Sequence, residues 1–181
     1  MDEPNIELAT GLVLPSFEPH ITLGTFPSTT PIDKLKDAIP PNTHPLPIHF
    51  SSVRSGDHYF RSVYVKIKLT EELSRLHAHI HDTLGLSAKT PEFPHLSLFY
   101  VSDDYASERE RMANRLTSSG CVRSSAAEAV ELVVFSSQDE KDNGQGLQRV
   151  VQGFEAPEIW IVQCEGPVES WVVLDRVSLR C

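Results

Sequence analysis

Apolar and polar positions follow two different periods along this chain. In "TEELSRLHAHIHDTLG", residues 70–85, Leu73, Leu76, Ile80 and Leu84 recur at intervals of three and four, the stripe of an amphipathic helix. Thr70 stands where an N-cap hydroxyl is wanted, Glu71 and Glu72 favour the positive first turn, and Gly85 can end the helix. "SDDYASERERMANRLTSSG" predicts a second, mostly solvated helix ending at Gly120. "TTPIDKLKDAIPP" predicts a short one, with Thr30 as its cap, Pro31 in its first turn and Pro40 as its stop.

Other segments alternate with a period of two. Residues 21–26 (ITLGTF) and 95–101 predict strands. "LPIHFSSVRSG" and "HYFRSVYVKIKL" predict a hairpin turning at Ser55–Gly56–Asp57, with Val63, Val65 and Ile67 facing inward. Three late strands follow: "AVELVVFSS", "EIWIVQCE" and "WVVLDRVSL". Between the first two, the polar, glycine-containing stretch 137–157 predicts a long hairpin or a mobile loop. Hairpins outnumber helices in this order, so the expected class is α+β with mainly antiparallel sheet.

Composition narrows the partners. With 25 acidic against 16 basic residues the chain carries a net charge of −9. Holding a long polyanion by counterion release needs a basic face, so no long nucleic acid is expected. A small phosphorylated ligand, captured by a few aimed donors, suits this balance better. No apolar run approaches ~18 residues, so no membrane span is expected. The start, "MDEPNIELATGLVLP", lacks the basic n-region and long apolar stretch of a signal peptide. Cys121, Cys164 and Cys181 are odd in number and not spaced like metal ligands, which suits reduced thiols in the cytosol or nucleus. One domain over residues 1–181, without cofactor or obligate protein partner, is the simplest expectation.

One phrase is written twice. "FEPHITL" contains Pro-His-Ile-Thr-Leu, and "FPHLSLFY" contains Pro-His-Leu-Ser-Leu. The bare pattern His-x-Ser/Thr fits four of the eight histidines: His20, His49, His81 and His95. That pattern alone therefore discriminates nothing. Only His20 and His95 also have the preceding proline and the following leucine. In a strand, residues i and i+2 share a face, so His20 with Thr22, and His95 with Ser97, stand together about 7 Å apart. Ile21 and Leu23, or Leu96 and Leu98, would then anchor the opposite face. A single pair of this kind is most often a surface hydrogen bond; two copies with the same flanks point to two halves of one site. The rival feature, "LHAHIHD", puts His77 and His81 at i and i+4, but it lacks the glutamate of the zinc-protease helix and a third ligand. No metal site is expected there.

Two imidazoles and two hydroxyls across a cleft can serve in-line displacement at phosphorus. Imidazoles titrate near neutrality, so one can take a proton from water while the other gives one to the departing oxygen. The hydroxyls donate to phosphate oxygens. A strained cyclic phosphodiester fits this equipment.

The two motifs, with "YFRSVYV" and the tail "EIWIVQCEGPVESWVVLDRVSL", resemble the two-histidine (2H) phosphoesterase superfamily, and within it the fungal and plant cyclic nucleotide phosphodiesterases. The resemblance implies a two-lobed antiparallel sheet with helices packed outside and a central cleft carrying both motifs. It implies hydrolysis of nucleoside 2′,3′-cyclic phosphates to 2′-phosphates, and of ADP-ribose 1″,2″-cyclic phosphate, a by-product of tRNA splicing. By analogy His95 is the base and His20 the acid, with Thr22 and Ser97 as phosphate donors. Tyr100 then matches a substrate-contacting tyrosine, Phe60 an aromatic that stacks on the nucleoside, and Arg61 a neighbour able to meet phosphate. Strand alternation expects only one of Phe60 and Arg61 to line the cleft. The family begins with a strand and a helix before its first motif, so the segment ahead of residue 17 is expected to be shortened. Two alternatives stand beside this: a relative processing RNA ends, ligase-like or 3′-exonucleolytic, and a catalytically silent nucleotide-binding protein.

Overall fold

The computed structural model of the chain describes residues 10–87, 94–125, 129–136 and 147–180. Its elements run α1 (Ile32–Asp37), β1 (Leu46–His58), β2 (Arg61–Ile67), α2 (Glu71–Leu84), β3 (His95–Phe99), α3 (Ala106–Ser118), β4 (Val122–Ser125), β5 (Ala129–Ser136), β6 (Leu147–Val151), β7 (Gly153–Ala156), β8 (Glu158–Gln163) and β9 (Val172–Ser178). The sheets have the orders β3-β2-β1-β7, β4-β5-β6 and β8-β9. Their pairings are mainly antiparallel, and the class is α+β.

The chain forms two units, one of Met1–Leu14, His49–Lys66 and Ser97–Phe154, the other of Pro15–Ile48, Ile67–Leu96 and Glu155–Cys181. In the first, Ser62 is fully buried on β2. Its hydroxyl lies 2.7 Å from the Tyr59 carbonyl and accepts from the Val101 N–H at 2.9 Å. It thereby ties the β1–β2 turn to the chain beyond β3. Arg109 of α3, also buried, donates to the Val101 carbonyl at 2.9 Å and pairs with the Asp103 carboxylate. Helix α3 is mostly solvated, as expected; of the residues it does bury, Glu108, Arg109, Met112 and Leu116, the two charged ones each have an ionic partner.

The second unit holds α1, α2 and the β8–β9 hairpin. Thr70 caps α2 by accepting from the Leu73 N–H, Gly85 closes it at φ 67°, and the expected stripe Leu73, Leu76, Ile80 and Leu84 is buried. His81 is buried with that stripe, which the period did not require. Lys36 of α1 pairs with Asp175 of β9 at 2.8 Å, and this hydrogen bond holds the Asp175 carboxyl below the usual carboxylate range.

Several expectations change. The hairpin turns at Tyr59–Phe60, not at residues 55–57. Gly56 stays inside β1 because a Cβ there would lie 1.8 Å from the Arg61 carbonyl oxygen, so it serves close approach rather than reversal. β2 buries Ser62 and Tyr64 as well as its Val/Ile positions, since it runs between β1 and β3. Thr30 does not cap α1; Pro31 takes the N-cap position and the Thr30 N–H donates to Pro27. The stretch expected as a long hairpin or loop contains β6 and β7, while residues 137–146 lie outside the described part. β4 pairs with β5 at Val122–Leu132 and was not foreseen: four mixed residues after a helix give no periodic signature.

Ser62→Ala should cost about 1–3 kcal/mol, because the Val101 N–H loses its acceptor in a dry site. At about 2–4 °C per kcal/mol for a chain of this size, thermal melts should show a drop of several degrees. Ser118→Ala, whose exposed hydroxyl bonds only within its own helix, is the control. Equal melting temperatures for the two variants would refute the role given to Ser62.

Candidate active site

The first motif does not form the expected strand. Residues 21–26 make a single antiparallel bridge, between Ile21 and Leu96. Pro19 and Pro27 bracket the segment and cannot donate to a ladder, and Gly24 lacks the side chain that would favour one. The bridge nonetheless brings the two motifs together. In an antiparallel register the residue after Ile21 faces the residue before Leu96, so Thr22 falls beside His95. Leu96 is buried and Ile21 half-buried, which turns Thr22 and His95 toward the other side. Within β3, Ser97 shares the face of His95 by alternation and is buried.

His20 adjoins the bridge. Its Nδ1 lies 2.8 Å from the carbonyl oxygen of Glu18. A carbonyl only accepts, so Nδ1 carries the hydrogen and Nε2 is the nitrogen left to exchange a proton. The indole of Trp171, at the start of β9, sits with its centroid 6.0 Å from the imidazole, tilted by 51°. His20 and Trp171 are half-buried, and so is His95: shielded by protein, yet reachable. Sequence reasoning missed Trp171, because nothing in "ESWVV" signals contact with a histidine near the other end of the chain.

The expected substrate contacts lie in the other unit. Tyr100 is buried and stacks on Tyr59 at 5.4 Å, while Phe60 packs edge-on against Tyr100 at 6.3 Å and is 53% exposed. Phe60 belongs to the turn rather than to β2, so strand alternation does not decide between it and Arg61. Arg61 donates to Asp57 at 2.7 Å, and that hydrogen bond holds the Asp57 carboxyl below the usual range.

Behind the first motif stands the "LHAHIHD" helix face. His77 and His81 approach to 4.6 Å between ring centroids, and Nε2 of His81 reaches the Leu23 carbonyl at 3.2 Å. His79 is exposed and lies near Thr83. Among the described residues no group of three or more His, Cys, Asp and Glu side chains gathers in metal-binding fashion, and no helix is long and apolar enough to cross a membrane.

A sequence model of the cyclic phosphodiesterase-like protein family matches residues 4–179. No curated protein matches the chain.

Burial, and secondarily the neighbouring His81, pushes the His77 imidazole below the ordinary histidine range. The unfolded chain therefore takes up this proton first. The stability tied to His77 is intact above the unfolded value of 6.5 and is lost as pH falls through the lower folded value. Melts between pH 7.5 and 5.5 should show a shallower acid-side fall for His77→Gln than for the wild type. Parallel slopes would contradict the assignment.

Proposed function

The chain belongs to the cyclic phosphodiesterase-like family, and on that premise we propose that it opens cyclic phosphodiesters by acid–base catalysis between two histidines. The proposed substrates are nucleoside 2′,3′-cyclic phosphates, giving nucleoside 2′-phosphates, and ADP-ribose 1″,2″-cyclic phosphate, giving ADP-ribose 1″-phosphate. The antiparallel bridge at Ile21–Leu96 carries this reading, since it sets the two motifs side by side.

His95 takes a proton from water as the water oxygen bonds to phosphorus. The P–O3′ bond breaks on the opposite side, and His20 gives its Nε2 proton to the departing ribose oxygen. The Glu18 carbonyl holds the other imidazole hydrogen on Nδ1, which keeps the ring turned so that Nε2 faces outward. Thr22 and Ser97 donate to the non-bridging phosphate oxygens and stabilise charge as it develops. The four groups complete the reaction without needing a metal or cofactor. Phe60, Tyr100 and Arg61 are assigned to the nucleoside and its phosphate; of the three, Phe60 is the most exposed and packs edge-on against Tyr100. The whole chain, residues 1–181, acts as one catalytic domain of the cytosol or nucleus.

Release of 2′-AMP from 2′,3′-cyclic AMP in EDTA tests the proposal. His20→Ala and His95→Ala should each lower turnover by ~10²–10⁴-fold with the fold retained. Turnover indifferent to both substitutions would sink it. An inactive wild type that is stabilised by nucleotide would favour a silent nucleotide-binding protein, and cleavage restricted to longer RNA ends would favour an end-processing enzyme. The net charge of −9 weighs against the latter.

A further inference from the structure

We propose that His81 is a positioning residue for the first motif: its Nε2–H, donated to the Leu23 carbonyl, holds the chain just after Thr22 where no strand ladder does so. The inference rests on the reading of Thr22 as part of a phosphodiester site.

A segment that pairs at one bridge needs other partners for its polar groups. The Leu23 carbonyl finds one in the imidazole of His81, 3.2 Å away and only 4% exposed. The acceptor fixes the tautomer, so Nε2 carries the hydrogen. The chain passes close against this ring: a Cβ on Gly24 would lie 3.0 Å from Nε2 of His81 and 2.7 Å from Cζ of Phe26. Phe26, at 5.6 Å between centroids, and His77, at 4.6 Å, confine the imidazole on two sides. The support beneath is rigid, because α2 is capped at both ends and buries its leucine stripe.

Nδ1 of His81 is buried without a hydrogen-bond partner among the described residues. A buried unpartnered nitrogen lowers stability, and a leucine continuing the apolar stripe would avoid that loss. Stability alone therefore does not favour histidine here. What histidine supplies, and leucine does not, is one N–H aimed at the residue next to Thr22. A hydroxyl that must meet a phosphate oxygen tolerates little displacement, since a shift of about 1 Å can cost ~10²-fold in rate.

The test compares three variants with the wild type. His81→Gln places an amide N–H where Nε2–H stood; His81→Asn matches the position of Nδ1 and falls short of Leu23; His81→Phe keeps the ring and removes the donor. Two quantities are read for each: amide hydrogen exchange over residues 22–26, and kcat and KM for 2′,3′-cyclic AMP. The Phe and Asn variants should exchange about tenfold faster there and lose about 10- to 100-fold in kcat, with KM within about twofold. The Gln variant should recover most of both. Wild-type exchange and kcat in the Asn variant, or a Gln variant no better than Asn, would overturn the proposal, and the Gln–Asn comparison decides even where Phe does not fold. An inactive wild type with the exchange pattern intact would remove the phosphodiesterase reading and leave the His81–Leu23 hold standing.

Discussion

Ile21 and Leu96 face one another in an antiparallel bridge, and the proximity of the two histidine motifs depends on that pairing. An antiparallel contact does two things at once. It fixes which residues lie opposite, and it sends their immediate neighbours to a common side. Thr22 and His95 become neighbours in this way. The apolar pair provides the attachment and the polar residues beside it fall on the opposite face, a division that the alternation of an extended chain supplies.

A single bridge is a slender attachment, and the surroundings compensate for it. On one side His20 is oriented through the Glu18 carbonyl and flanked by Trp171. On the other, the chain runs over Gly24 into a pocket of rings from Phe26, His77 and His81. These contacts come from α2 and from the start of β9, elements whose own order is secured elsewhere: α2 by its caps and apolar stripe, β9 by its hairpin with β8 and the Lys36–Asp175 pair. The precision of the motif is thus borrowed from regular structure that does not itself carry the motif.

The sequence made some of this legible and hid the rest for identifiable reasons. Helix α2 and the β8–β9 hairpin were readable because capping residues and apolar periods are local. The paired motifs were readable because i and i+2 share a face in any extended chain. Gly56 misled, since a glycine that admits a neighbouring backbone is spelled the same way as one that reverses the chain. The first motif reads as a strand by alternation, yet alternation says nothing about whether a partner lies alongside for six residues or for one. His81 and Trp171 were invisible for a related reason. Their partners are distant in sequence, and no period links a helix face or a late strand to residues 20–26.

The second unit is discontinuous: it is assembled from 15–48, 67–96 and 155–181. Lys36 and Asp175, which bind its first helix to its last strand, stand 139 residues apart. Contacts of such separation form late, because loop closure must precede the energy they return. His20 and Trp171 stand farther apart still, so their contact closes a longer loop. A fragment ending before residue 155 would hold both motifs and still lack the indole beside His20. The surroundings of His20 are thus assembled from distant stretches of the second unit, and no fragment without residues 155–181 reproduces them.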